Sequence, residues 1–145
     1  MYVVRHYLVG VDAILRLTNF VGQRKVVVDA TEPRLNTTPE KAIATLESTL
    51  SMDEPEIALA LGISTRSLHR WSSGESHPQR DSRTHLARLL ALAEHLEETF
   101  GENASEWLGA DSRYLGGMAP IEALRAGRID RVEAALEALD SGFVV

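Results

Sequence analysis

The side chains best suited to chemistry in this chain form one short polar run that extends from Ser64 to Arg70. Hydroxyl, guanidinium and imidazole groups occupy the run, and only Leu68 interrupts them. Such groups donate hydrogen bonds to phosphate oxygens and base edges, and arginine can pair with two acceptor atoms of guanine at once. The run therefore predicts contact with a nucleic acid, through Ser64, Thr65, Arg66, Ser67, His69 and Arg70.

The chain gives little support for catalysis. The five histidines, at positions 6, 69, 77, 85 and 95, lack the spacing of metal ligands, and there is no cysteine. The glycine pair at 116–117 belongs to no phosphate-binding or dinucleotide motif, and no serine lies in a nucleophile-elbow context. We interpret residues 95–98 as a solvated helix face. We expect no enzyme activity, no metal and no cofactor.

The polar run belongs to a helix-turn-helix pattern over residues 57–71. Ala58 is small where two helices must cross closely, and Gly62 suits the positive φ of a sharp turn. Ile63 anchors that turn, and Ser64 is placed to cap the second helix. The pattern predicts two short helices joined by a tight turn.

Within the second of these helices, Leu68 and Trp71 fall on the inward face. Arg66 and Arg70 then point outward, as in a recognition helix that enters a major groove, and are the best candidates for guanine edges or phosphates. Thr65 and Ser67 suit phosphate contacts. The alternative is a pair of ordinary packed helices with a solvated polar face.

The remaining elements are also predicted to be helical, so the fold expected is mainly all-α. Helix starts are indicated at 38–40 and 53–56, and a long helix should run from about Asp81 to Phe100. Shorter helices are expected at 105–108 and 120–126. A last helix should run from about Asp130 to Asp140, with Asp130 and Glu133 at capping-box spacing and Val132, Leu136 and Leu139 buried.

These elements suggest a helix-turn-helix module followed by a small helical C-terminal domain. The predicted divisions are an N-terminal segment of unclear role (1–36), a helix-turn-helix region (37–101) and a C-terminal domain (102–145). Residues 24–29 suggest a short strand in the first of these.

Composition and charge are compatible with this organisation. The chain has 145 residues, of which 44% are hydrophobic and 25% charged, as in soluble globular proteins. Its net charge of −6 is unevenly divided: residues 62–88 carry five arginines against two carboxylates (+3), and residues 89–145 carry four against eleven (−7). One segment suits phosphate and the other repels it. The lack of cysteine, of a signal peptide and of a membrane-length apolar run favours a cytoplasmic protein without membrane contact.

An ordered set of residues follows the long helix. Trp107-Leu108 leads to Leu115-Gly116 and Pro120, then Gly127, and finally Leu139 to Phe143. This set resembles the C-terminal toxin-binding domain of the Xre/MbcA/ParS antitoxins over roughly residues 105–143. Two positions depart from that pattern: Asp111-Ser112 replaces the family's Pro-Asn, and Met118-Ala119 replaces a frequent basic residue.

The resemblance implies a dimeric antitoxin that binds a RES-domain toxin, a class that consumes NAD, and that represses its own operon at operator DNA. It points to a toxin-binding set formed by Leu115, Gly116, Gly117, Pro120, Gly142, Phe143, Val144 and Val145. The apolar tail after Gly142 either docks into a partner or frays, and the paired glycines alone also fit a plain interhelical turn.

Two other functions stay open at this point. One is a free-standing transcription regulator without a toxin. The other is an interaction protein whose helix-turn-helix no longer binds DNA, because a glutamine that often contacts phosphate in repressors is absent from the first helix.

Overall fold

The computed structural model describes residues 34–142, and this part of the chain is mainly all-α, as predicted. Its α helices, in chain order, are α1 (Pro39–Leu50), α2 (Glu54–Leu61), α3 (Thr65–Ser72), α4 (Arg80–Phe100), α5 (Ala104–Gly109), α6 (Pro120–Arg125) and α7 (Ile129–Asp140). A 3₁₀ turn over Gly101–Asn103 joins α4 to α5. The predicted strand at 24–29 lies outside the described residues.

Helices α1 and α2 start where the sequence predicts. Thr38 caps α1 and Pro39 occupies its first position, where the missing proline N–H costs nothing. Asp53 and Glu56 form a capping box at α2, with each side chain accepting from the other residue's backbone N–H. The backbone N–H of Asp53 holds the pKa of Glu56 below its usual value, and Arg125 adds to the effect.

The turn between α2 and α3 has the predicted geometry. Gly62 adopts φ 68°, a left-handed conformation that favours glycine, and its N–H donates to the last carbonyls of α2. The Oγ of Ser64 then accepts from the backbone N–H of Ser67 at 3.1 Å, which caps α3. Leu68 is fully buried and Trp71 is nearly so. The two short helices and the tight turn between them are therefore as predicted.

Helix α4 is the centre of the packing. It contacts α1, α2 and α5, and its leucines and Ala93 belong to a continuous core that also includes residues of α1, α3, α6 and α7. The apolar face of α1 is buried there, namely Ala42, Ile43, Leu46 and Leu50. No helix within residues 34–142 is both long and apolar enough to span a membrane.

The start of α7 corrects one prediction. The helix begins at Ile129 after Arg128, and no side chain caps it. Glu133 does not complete a capping box with Asp130, because its carboxylate accepts hydrogen bonds from Arg88 Nε at 2.8 and 3.0 Å. Val132 and Leu136 are buried as expected, whereas Leu139 is only half-buried.

Leu68 gives the first testable prediction. Because its side chain is fully buried between α3 and the core, Leu68→Ala should lower the free energy of unfolding by roughly 2–5 kcal/mol. The matched control is Leu59→Ala on α2, where 59% of the leucine is exposed and the expected change is about 0.5 kcal/mol or less. Urea denaturation measures both, and equal stability of the two variants would show that α3 is oriented differently.

Candidate functional site

Helix α3 presents one exposed face, which we call the recognition surface and define by Thr65, Arg66, His69 and Arg70. All four residues are exposed, and the opposite face of α3 packs into the core. The side chains of Arg66 and Arg70 lie one turn apart on the helix, so they share a side. The arrangement places two guanidinium groups where a partner can reach them.

Two residues of this segment also serve the fold. His69 Nδ1 lies 3.2 Å from Glu54 Oε2, and the Oγ of Ser72 donates to Glu54 Oε1 at 2.8 Å. Glu54 stands in the first turn of α2, so it connects α3 to the preceding helix. His69 therefore combines exposure with an intramolecular contact that the sequence did not indicate.

Arg70 and Ser67 also have intramolecular partners. Arg70 Nε lies 3.3 Å from Glu75 Oε2, and both side chains are more than half exposed. Such an exposed pair contributes little and exchanges readily with another anion. Ser67 is half-buried and its Oγ accepts from Ser64 Oγ at 2.9 Å. Both serines thus hold the start of α3, and Thr65, Arg66 and Arg70 remain the better candidates for contact.

A second exposed feature lies between α5 and α6, and we call it the bridged loop (residues 112–118). Ser112 and Met118 form an isolated antiparallel bridge, in which Ser112 N–H donates to the Met118 carbonyl at 3.1 Å. Gly117 N–H donates to the Ser112 carbonyl at 2.8 Å. Gly116 and Gly117 adopt φ of 72° and 89°, so the turn requires residues that tolerate positive φ.

The bridged loop separates buried from exposed side chains. Leu115 points into the core with 5% of its surface exposed, whereas Tyr114 is 48% and Met118 is 43% exposed. Before the loop in the chain, Phe100 and Trp107 stack with ring centroids 5.2 Å apart, and both pack against the core. Main-chain hydrogen bonds and one buried leucine therefore hold the loop, and its exposed side chains are not needed for its shape.

The residues predicted to bind a toxin divide in the same way. Leu115 and Pro120 are buried, so their role in the described structure is to hold the loop and α6. Gly116, Gly117 and Gly142 are exposed. The tail residues Phe143, Val144 and Val145 lie outside the described residues. Sequence reasoning missed Tyr114 and treated Met118 only as a departure from the family pattern.

His95 corrects another expectation, because it does not lie on a solvated helix face. Its side chain is 13% exposed, and its Nε2 lies 3.4 Å from Oδ2 of Asp140, the last residue of α7. Asp140 is 10% exposed. Burial raises the pKa of Asp140 to about 6, and the negative charge of Glu137 adds to the effect. The sequence-predicted tail starts directly beyond this contact.

Comparison with known proteins assigns the family. The model of the antitoxin Xre/MbcA/ParS C-terminal toxin-binding domain matches residues 95–142. The chain is 30% identical to mycobacterial cidal antitoxin MbcA of Mycobacterium tuberculosis and of Mycobacterium bovis over 97 residues, which cover 66% of this chain and 86% of the relative. The chain belongs to the Xre/MbcA/ParS antitoxin family.

A solved structure supports the same conclusion for the fold. One chain of the crystal structure of the M. tuberculosis MbcT–MbcA toxin–antitoxin complex is 28% identical to this antitoxin and superposes with a TM-score of 0.56. The match covers 77% of this chain and all of that chain. The family resemblance read from Trp107 to Phe143 is therefore confirmed.

Within residues 34–142, no three histidine or carboxylate side chains group as a metal site would require.

Asp140 gives a prediction for stability against pH. Its pKa is raised from 3.8 to about 6 in the folded state, so the folded protein holds this proton more tightly than the unfolded chain does. Its contribution to stability is present below about pH 4 and is lost as the pH rises through about 6. Asp140→Asn should remove this dependence, so the variant should gain stability relative to the parent between these two values.

Urea denaturation at several pH values measures that difference. Asp130→Asn, at an exposed carboxylate on the same helix, is the control and should track the parent more closely. A constant difference between Asp140→Asn and the parent from pH 4 to pH 7 would contradict the prediction.

Proposed function

We propose that this antitoxin binds and neutralises a RES-domain toxin that consumes NAD. The observation that carries the proposal is the match of residues 95–142 to a toxin-binding domain, which includes the bridged loop and all of α7. The similarity to a chain of the MbcT–MbcA complex supports it. The segment is acidic, so a basic entrance to the toxin's active site would be its natural counterpart.

The same proposal gives the recognition surface a second role, repression of the protein's own operon. The supporting observations are the capped α3 and the exposed guanidinium groups of Arg66 and Arg70. The recognition helix of a helix-turn-helix enters the major groove with such side chains directed away from the core. A homodimer would match the two half-sites of a palindromic operator, and the location proposed is the cytoplasm.

Replacement of both Arg66 and Arg70 by alanine tests the role in DNA binding. The double variant should bind operator DNA more weakly by on the order of 2–5 kcal/mol and with a flatter salt dependence, since fewer phosphate counterions are released. Toxin neutralisation should persist. Arg128→Ala with Arg131→Ala removes two exposed arginines from the C-terminal part and should leave DNA binding nearly unchanged.

A gel-shift or fluorescence titration at several salt concentrations measures these affinities. If the Arg66/Arg70 variant binds as tightly as the parent throughout, α3 is not the DNA-reading helix. Binding of neither protein to the upstream DNA would favour an interaction protein whose helix-turn-helix has lost that role.

Truncation after Ser141 tests toxin neutralisation. Burial of Phe143, Val144 or Val145 in the toxin could contribute about 1.5–3 kcal/mol for one large apolar side chain, offset in part by the ordering of a terminus. The truncated protein should fold and bind DNA nearly normally but protect cells poorly. The measurement is growth and NAD level during co-expression with the cognate RES-domain toxin.

Equal protection by the full-length and truncated proteins would remove the tail from the mechanism. Loss of folding on truncation would instead show that Phe143 belongs to the core. If even the full-length chain fails to protect, the protein acts as a regulator without a toxin.

A further inference from the structure

Few large apolar side chains are exposed in the described part of this protein, and two of the exposed ones belong to one loop. Across residues 34–142, the exposed large hydrophobic residues are Leu59, Tyr114 and Met118. Leu59 stands by itself on α2, whereas Tyr114 and Met118 belong to the seven residues of the bridged loop. Tyrosine and methionine are enriched in protein interfaces, because they supply contact area and, for tyrosine, a polar end.

The bridged loop holds these two side chains in a fixed geometry. The hydrogen bonds that close it join main-chain atoms, including those from Leu115 N–H to the Ser112 carbonyl and from Gly116 N–H to the Arg113 carbonyl, both at 3.1 Å. Neither the phenol of Tyr114 nor the thioether of Met118 takes part in these bonds. A loop that keeps its shape without its exposed apolar groups is already organised for binding. Little conformational entropy of the loop is therefore lost when a partner binds to it.

The charges near the loop limit the kind of partner. Residues 101–125 carry four carboxylates (Glu102, Glu106, Asp111 and Glu122) and two guanidinium groups, Arg113 and Arg125, of which Arg125 is already paired with Glu56 of α2. This surplus of negative charge repels DNA and anionic lipid surfaces. It also disfavours a symmetric contact with a second copy of this chain, since a two-fold interface would set the same acidic surface against itself. A protein with a basic rim around an apolar depression fits these properties.

We propose that Tyr114 and Met118 are the principal anchors by which the bridged loop binds the cognate toxin. The inference rests on the proposed function, since the loop lies inside the segment that matches a toxin-binding domain. Each side chain enters an apolar pocket of the toxin, and an acceptor at the edge of one pocket receives the Tyr114 hydroxyl. Leu115, Gly116, Gly117 and Pro120 hold the loop in position. In this proposal the toxin is contacted mainly by Tyr114 and Met118, and the neighbouring residues of the family motif support them.

Titration calorimetry with the purified cognate RES-domain toxin tests the proposal. Tyr114→Ala and Met118→Ala should each weaken toxin binding by roughly 10- to 100-fold, the range of interface anchors. Leu59→Ala is the matched control, because it removes an even more exposed apolar side chain outside the loop, and it should change the Kd by less than about twofold. Met118→Leu should restore most of the affinity, since it retains the apolar volume.

Circular dichroism melting and sedimentation of each variant accompany the titration. Unchanged melting together with weaker toxin binding supports the proposal. If the parent binds toxin and both alanine variants bind equally well, the anchor assignment is overturned while the proposed function stands. If the variants dissociate from dimer to monomer with unchanged toxin affinity, the loop contacts a second copy and the assignment is again overturned. If the parent itself does not bind the toxin, the proposed function fails first.

Discussion

The burial of one face of helix α4 is the constraint on which the rest of the structure depends. Leu86, Leu89 and Leu96 on this face are fully buried, and α4 packs against α1, α2 and α5. Helix α3 has its main contacts with α1 and α2, so the recognition surface is held mainly by those two helices, which α4 contacts in turn. On the other side, α5 carries the chain from α4 to the bridged loop. Both candidate surfaces are therefore borne by one core, although they lie far apart in the sequence.

Two arginine–carboxylate contacts set the C-terminal helices against this core. Arg125 of α6 donates from Nε to Glu56 of α2 at 2.7 Å, and Arg88 of α4 donates to both carboxylate oxygens of Glu133 in α7. All four side chains are partly exposed, so each pair contributes modestly to stability. The contact of Arg88 with both oxygens of Glu133 also fixes geometry, because such a contact has a narrow range of orientations. The contact with Arg125 also balances the charge of the Glu56 carboxylate, so α2 presents less negative charge to its surroundings.

Local patterns predicted most of this fold. The caps at Thr38 and Asp53 and the turn at Gly62 depend on neighbouring residues only, and helical periodicity identified Leu68 as a core residue. Features that join distant segments could not be read in this way. Glu133 looked like a capping residue because its partner Arg88 lies 45 residues earlier. Likewise His95 looked solvated until α7 brought Asp140 beside it. The exposure of Tyr114 and Met118 depends on the main-chain bridge between Ser112 and Met118. The spacing of side chains in the sequence does not predict such a bridge. The family motif led to the residues that shape the loop and missed those that it presents.

In the proposed function, DNA and the toxin bind different surfaces of a single core. Hydrogen–deuterium exchange measured by mass spectrometry tests it most directly, since exchange reports protection segment by segment. Operator DNA should slow exchange in residues 64–72 and leave 112–118 unchanged. The toxin should slow exchange in residues 112–118 and in the segment after Ser141, and leave 64–72 unchanged. Protection of residues 64–72 by the toxin, together with no protection of the bridged loop, would contradict the account.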